Sequence, residues 1–282
     1  MKISIENFPF RLKFGEEKAL EMLKDAGFDG VDYSFNEFPS GEPINLSDHI
    51  KRAQKTRSAL DSLGLVCEQA HSPFYLKYGT KFNLSDNGFS DTVRSLEFAA
   101  ILGAKQLVVH GIDVPENTDF VEYNFEFYKS LQPYAENCNI RIAAENLLGA
   151  VYMHPSCFSQ FIRALKSDVF CACIDTGHAA LTGIAPEEFI SGMDKDILKC
   201  VHIQDTDGKD DSHWIPYQGV HNWDNIMKAL ADYGFEGILN MEIIHSFDNL
   251  PEELYFPLLC YTARVGKTLA GKFEEYKKLK NQ

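Results

Sequence analysis

Cys173-Ile174-Asp175-Thr176-Gly177-His178 closes an apolar run that begins at Val169. The run ends in an Asp, a Thr-Gly turn follows, and a His stands three residues past the Asp. Three other stretches repeat the event. Residues 140–144 lead into Glu145-Asn146, residues 198–201 into His202-Ile203-Gln204-Asp205, and residues 237–241 into Glu242. Each reads as a buried strand with a metal-capable or acid/base side chain at its C-terminal end. The steps from 145 to 175, 175 to 202 and 202 to 242 are 30, 27 and 40 residues. A strand, a helix and their loops need about 30 residues or more. Four consecutive units that each put one ligand-type residue at the end of a strand describe the active face of a (β/α)8 barrel.

Working outward, the rest of the chain supplies the remaining units. Strands are expected over residues 2–5, 30–35, 65–70 and 106–109. Helical spacing covers 16–26, 48–63, 90–102, 119–137, 156–166, 186–193, 223–233 and 251–278, with Gly27, Gly64 and Gly103 as stops. Eight strands alternating with eight helical segments imply a parallel sheet. Nothing in composition splits the chain, so 1–282 reads as one α/β domain. The register makes its own prediction. If Asp175 and His202 point inward, so do Cys173, Cys171 and Cys200, while Ala172, Ile174, Val201 and Ile203 face the helices. The polar 36–47 loop links strand to helix. The 74–82 loop carries Phe74, Tyr75, Tyr78 and Phe82 and reads equally as packing or as a lid over the mouth.

The 282 residues are 45% hydrophobic, enough for a large core, and carry a net charge of -14. An acidic chain is soluble and works against nonspecific binding to phosphate backbones. Nucleic acid is therefore not an expected partner. Seven cysteines lack paired close spacing. Cys67, Cys171, Cys173 and Cys200 fall in expected strands and read as small core residues in a reducing compartment. The N-terminus runs straight into a strand, and no apolar stretch of about 20 residues occurs. The expectation is a cytoplasmic protein without a membrane span.

Glu145, Asp175, His202 and Glu242 would converge on one mouth. Three carboxylates that close repel one another unless some protonate or a cation sits among them. Oxygen ligands with one imidazole suit Mn2+ best, and also Mg2+, Co2+ or Zn2+. Such a centre can hold the oxygens of a hydroxyketone while a neighbouring carboxylate removes the proton alpha to the carbonyl. Any one of the four could be a polar strand end with a local hydrogen bond; four in succession are hard to read that way. His71, His110 and His178 also stand at or just past strand ends. His213 lies in the loop after strand seven, within Asp211-Ser212-His213-Trp214-Ile215-Pro216. His49, His154, His221 and His245 read as structural or surface residues.

These stretches, with the Asp211 to Gly219 segment (Asp-x-His-x-x-Pro-x-x-Gly) and Met241-Glu242, resemble the xylose isomerase-like TIM-barrel superfamily over essentially the whole chain. The sugar and sugar-phosphate isomerase/epimerase branch is the nearest match, similar to D-tagatose 3-epimerase-type and hydroxypyruvate isomerase-type enzymes. The resemblance implies a single (β/α)8 TIM barrel acting on a small sugar or keto-sugar, with dimers and tetramers common. It implies Glu145, Asp175, His202 and Glu242 as metal ligands, Glu145 and Glu242 as the pair that moves the proton, and His178 as a ligand of a substrate hydroxyl. His71, His110 and His213 join it as candidate substrate-binding residues. One departure stands out: the epimerases usually carry an Arg in the loop after strand seven, where this chain has Lys209 and His213. The same superfamily includes the endonuclease IV-type apurinic enzymes with three zinc ions. Their sets have counterparts in His71, His110 and Glu145; in the four central residues; and in His178, Asp211 and His213. Asp211 and His213 are thus candidate ligands for an additional metal. The 205–220 loop, with Asp205, Asp207, Asp210 and Asp211 against one Lys, speaks against DNA. A lyase using the same proton abstraction, or a sugar-binding barrel without turnover, completes the alternatives.

Overall fold

Eight short strands pair in sequence order and close on themselves: β1 (Ile3–Glu6), β2 (Gly30–Ser34), β3 (Gln69–His71), β4 (Gln106–Val109), β5 (Arg141–Glu145), β6 (Phe170–Asp175), β7 (Leu198–Ile203) and β8 (Leu239–Met241). Every neighbour is parallel, and β8 returns to β1 through Ile5 opposite Met241. This is the TIM barrel expected, seen in a computed structural model that describes residues 1–36, 48–74, 82–112, 119–147, 154–280 and 282. Because all strands run the same way, all their C-terminal ends open on one face.

Helices α1 (Phe8–Phe14), α2 (Glu16–Ala26), α3 (His49–Leu63), α4 (Asn87–Leu102), α5 (Phe120–Cys138), α6 (Pro155–Ala164), α7 (Thr176–Leu181), α8 (Pro186–Gly192), α9 (Trp223–Tyr233) and α10 (Glu252–Lys280) surround the strands. The side chains of Asp86, Asp119 and Asn222 each accept a backbone N–H in the first turn of α4, α5 and α9, the usual device for satisfying those orphan donors. The stops at Gly27 and Gly64 are left-handed, with φ of 102° and 64°, a conformation glycine adopts without a Cβ clash. None of the described helices is long and apolar enough to cross a membrane.

The apolar interior has two layers. Ala172, Ile174, Val201 and Ile203 join the large cluster between strands and helices. Val108, Ala143, Cys171, Cys173 and Cys200 form a separate cluster inside the barrel. The alternation expected for β6 and β7 is therefore the one found. All seven cysteines are free, and four of them are buried.

Beyond shifts of a few residues at element ends, such as α4 beginning at Asn87 and β8 at Leu239, the fold differs from the sequence expectation in three places. The third strand starts at Gln69 rather than 65, because Val66 makes only an isolated bridge to Gly30 before pairing resumes. Cys67 consequently precedes the strand, although it is buried. Helix α1 was not expected; its Phe10 packs edge-on against Phe247, 4.7 Å between ring centroids, in a cluster with Tyr255 of α10. Helix α7 was not expected either, and its N-cap is Asp175. Of the aromatic 74–82 loop, Tyr75 and Tyr78 lie outside the described residues, as do residues 37–47. Phe82 packs on Tyr123 and Phe127. Phe74 lies against the rings of His71 and His110, at 5.0 and 4.6 Å.

Candidate metal centre

Each strand end delivers its residue to the same mouth. Glu145 closes β5, Asp175 closes β6, His202 lies in β7, and Glu242 follows β8. Each of these four offers a ligand atom, and the four atoms lie within 4.8 Å of one another. The four residues are almost wholly buried. His202 Nδ1 stands between the two glutamates, 3.5 Å from Glu145 Oε1 and 3.2 Å from Glu242 Oε2.

The other expected residues gather around this group. His71 and His110, at the ends of β3 and β4, bring their Nε2 atoms within 3.1 Å of each other. They lie 3.5 and 2.9 Å from Glu145 Oε2, and the three form a second potential ligand set. His178, in α7, has Nδ1 3.2 Å from Glu145 Oε1 and Nε2 3.2 Å from Asp211 Oδ2. His213 Nε2 is also 3.2 Å from Asp211 Oδ2. His178, Asp211 and His213 make a third set. Glu145 thus belongs to two sets and touches the third.

Hydrogen bonds to carbonyls orient two of the imidazoles. A carbonyl only accepts, so His71 Nδ1–H donates to Ser72 O at 2.8 Å and His213 Nδ1–H donates to Glu242 O at 2.9 Å. The Nε2 atoms are left to face the carboxylates, which is how ligating imidazoles are commonly held.

The charges are strongly interdependent. Burial pushes the Asp175 carboxyl up to about 7, helped by Glu242, Asp211 and Glu145. Burial opposes charge on Glu242 too, but His202 and His213 outweigh it and hold that carboxyl at about 2. Glu145 is likewise held well below its ordinary range by His202 and His110 against burial. Burial would lower His213, yet Asp211 and Glu242 lift it to about 10. Some groups must therefore hold protons to keep so many charges together in the absence of a cation.

Among the described residues, Glu145 Oε1, His178 Nδ1, His202 Nδ1 and Glu242 Oε2 are buried without a hydrogen-bond partner. A buried polar atom without a partner costs free energy. Here such atoms come from three strand ends and from α7, and all four are of ligand type. The donor set, oxygens with imidazole nitrogen, fits a divalent cation.

Two carboxylates escaped the sequence reading. Glu6 ends β1 and Asp32 lies opposite it on β2, both buried. Asp32 Oδ2 accepts from Gln69 Nε2 at 2.6 Å and from Asn240 Nδ2 at 2.9 Å, and lies 3.6 Å from His202 Nε2. Burial, with Glu242 next in weight, pushes Glu6 up to about 7. The signal was the period-two polar pattern Ser4/Glu6 and Asp32/Ser34, inward on strands buried on both faces. The four histidines left aside behave as expected. His49 pairs with Glu97, His154 caps α6, His221 lies against Trp223 and His245 pairs with Asp248.

Comparison with known proteins agrees with the barrel fold. The family model for the xylose isomerase-like TIM barrel matches residues 20–256. The protein y4fM of Sinorhizobium fredii is 26% identical over 272 residues, covering 86% of this chain and 85% of its own. Fructoselysine 3-epimerase of Escherichia coli O157:H7 is 34% identical over 103 residues, 30% of this chain and 38% of that one. Among solved structures, a D-tagatose 3-epimerase-like protein superposes over the whole of both chains with a TM-score of 0.75 at 21% identity. The IolI protein with a binding zinc atom superposes over 98% of this chain and 99% of its own, with a TM-score of 0.71 at 15% identity.

Proposed function

The chain belongs to the xylose isomerase-like TIM-barrel family, and from that footing we propose that it is a divalent-metal-dependent isomerase or epimerase of a small sugar, sugar phosphate or keto-sugar. The observation that carries the reading is the central group, with Glu145 and Glu242 on either side of His202 Nδ1 and their inner oxygens lacking partners. Sugar epimerases among the similar proteins support it.

Glu145, Asp175, His202 and Glu242 would hold the cation, with Mn2+ the best fit. When bound, it supplies charge balance and polarises the oxygens of a hydroxyketone. The chain's own residues do the rest. Glu242 and Glu145, both held ionised by neighbouring imidazoles, are bases placed at two sides of the mouth. For epimerisation, one takes the proton alpha to the carbonyl, leaving a cis-enediolate, and the other, first given a proton from solvent, delivers that proton to the opposite face. For isomerisation, the first glutamate hands its own proton back to the neighbouring carbon. His178, His213, His71 and His110 receive substrate hydroxyls. Phe74, against His71 and His110, keeps water from that side. The test is Glu242→Gln with a panel of keto-sugars in D2O. The wild type incorporates deuterium at carbon, and the variant folds but does not. Deuterium incorporation at the wild-type rate in the variant would remove Glu242 from the chemistry.

One observation favours a second reading. The His71–His110–Glu145 and His178–Asp211–His213 sets would serve an apurinic endonuclease with three zinc ions. Charge opposes it. Of the loop acids, Asp210 and Asp211 are exposed and Asp207 is half-buried, and a net charge of -14 repels a phosphate backbone. Nicking of abasic-site DNA by the zinc-loaded protein separates the two.

A further inference from the structure

Asn146, Thr176 and Gln204, which follow the strand-end residues of β5, β6 and β7, are as buried as those residues, and they link one strand end to the next. Asn146 clamps the backbone of Asp175: its Nδ2 donates to Asp175 O at 3.0 Å and its Oδ1 accepts from Asp175 N at 2.6 Å. Thr176 continues the link, its Oγ1 donating to Gln204 O at 2.7 Å and accepting from Gln204 N at 3.0 Å. The Gln204 side chain then spans two of the ligand sets. Its Nε2 donates to both oxygens of Asp175 at 3.1 Å and to Asp211 Oδ1 at 2.8 Å. Its Oε1 accepts from His213 N at 2.9 Å.

We propose that Gln204 is a positioning residue that fastens Asp175 of the metal-ligand group to the Asp211–His213 pair, so that the cation site and the groups receiving substrate oxygens assemble as one unit. The proposal rests on the metal-dependent reading above. Its logic is one of donors and acceptors. Asp175 and Asp211 repel each other, and only a neutral side chain with two N–H groups can be shared between two carboxylates while its oxygen serves a backbone N–H. Asn would be one methylene short of spanning them. Gly177 makes the room. A Cβ there would lie 2.5 Å from Gln204 Cδ, 2.6 Å from Oε1 and 2.8 Å from Nε2. The Thr-Gly of the strand-six motif is thus explained by the amide behind it.

Two variants approach the same link from opposite sides: Gln204→Leu removes the amide, and Gly177→Ala displaces it without touching any ligand. The assay is titration of the metal-free full-length protein with Co2+, followed by calorimetry and by the visible absorption of the bound ion, which reports its coordination. Loss of a group that orients metal ligands costs about 10–100-fold in metal affinity. Both variants are expected to unfold cooperatively, bind Co2+ about 10-fold or more weakly, and give an altered visible spectrum. A residue that serves stability alone would lower the melting temperature and leave the spectrum as it was. Wild-type affinity and spectrum in a folded Gly177→Ala protein would overturn the proposal, even if Gln204→Leu does not fold. Failure of the wild type to bind Co2+ would overturn the metal-dependent reading and this proposal with it.

Discussion

Replacing Asp205 by Ala tests how the β7–α9 loop is held over the mouth. Asp205 is fully buried, and its carboxylate accepts four N–H groups. Oδ1 takes those of Thr206 and His221 at 3.0 and 3.2 Å, and Oδ2 takes those of Tyr217 and Trp223 Nε1 at 2.9 Å each. Tyr217 is half exposed and His221 partly so, so their amides find water when the carboxylate goes. Thr206 and Trp223 are buried, and their donors do not. A buried donor without an acceptor costs about 1–3 kcal/mol. Two of them, with the loop freed, put the loss at about 4 kcal/mol. For a chain of this size that is a fall of about 10 °C in melting temperature, at roughly 2–4 °C per kcal/mol. Asp205→Asn keeps one accepting oxygen and should cost about half as much. Urea unfolding of the three proteins at fixed metal and pH gives the comparison. A loss below about 1 kcal/mol for Asp205→Ala, or equal losses for Ala and Asn, would refute the idea that this carboxylate is the anchor of the loop.

Proton and metal compete for the same atoms. With Asp175 pushed up to about 7, a metal binding below that pH must displace its proton. His202, also shifted up by its neighbours, must shed a proton as well, so apparent Mn2+ affinity should weaken by at least about tenfold per unit as pH falls from 7 to 5; an isotherm independent of pH over that range would contradict the assignment of Asp175 and His202 as ligands. In metal-free protein the dependence has the opposite sign. Glu145 outweighs burial to raise His71 to about 9, and Asp211 and Glu242 raise His213 to about 10. A raised folded value stabilises fully below the unfolded value of about 6.5 and is lost as pH passes through the folded one. The melting temperature in chelator should thus fall between pH 7 and 10, and a flat or rising profile would count against those imidazoles sitting among carboxylates. Saturating Mn2+ should raise that melting temperature, by an amount equivalent to about 2.7 kcal/mol at a hundredfold excess over Kd, and Asp175→Ala should abolish the rise.

The strand ends that carry the candidate ligands were legible because burial on both faces makes parallel strands apolar throughout. Against that background Glu145, Asp175, His202 and Glu242 each stand out as one polar residue closing a run. The spacing between them then fixed the unit length and hence the barrel. What sequence could not separate was two uses of one side chain. Asp175 is a ligand candidate and also the N-cap of α7, accepting the His178 N–H at 2.7 Å, so a six-residue helix hid inside the motif. Asp205 looked like loop charge but is consumed by four N–H groups, since nothing local marks a carboxylate that serves amides 12 to 18 residues away. Gln204 stood in the quoted motif without a role, because its partners Asp175, Asp211 and His213 meet only after closure of the barrel. Glu6 and Asp32 carry their signal only as the two-residue alternations Ser4/Glu6 and Asp32/Ser34, which short strands leave weak beside the apolar runs. Helix α1 has seven residues, too few for periodicity to speak.

The most direct test of the account is elemental analysis of protein purified without chelator. The account predicts close to one manganese, magnesium or cobalt ion per chain, lost in Glu145→Ala. Close to three zinc ions per chain would contradict it and turn the His71–His110–Glu145 and His178–Asp211–His213 groups into occupied sites of a different chemistry.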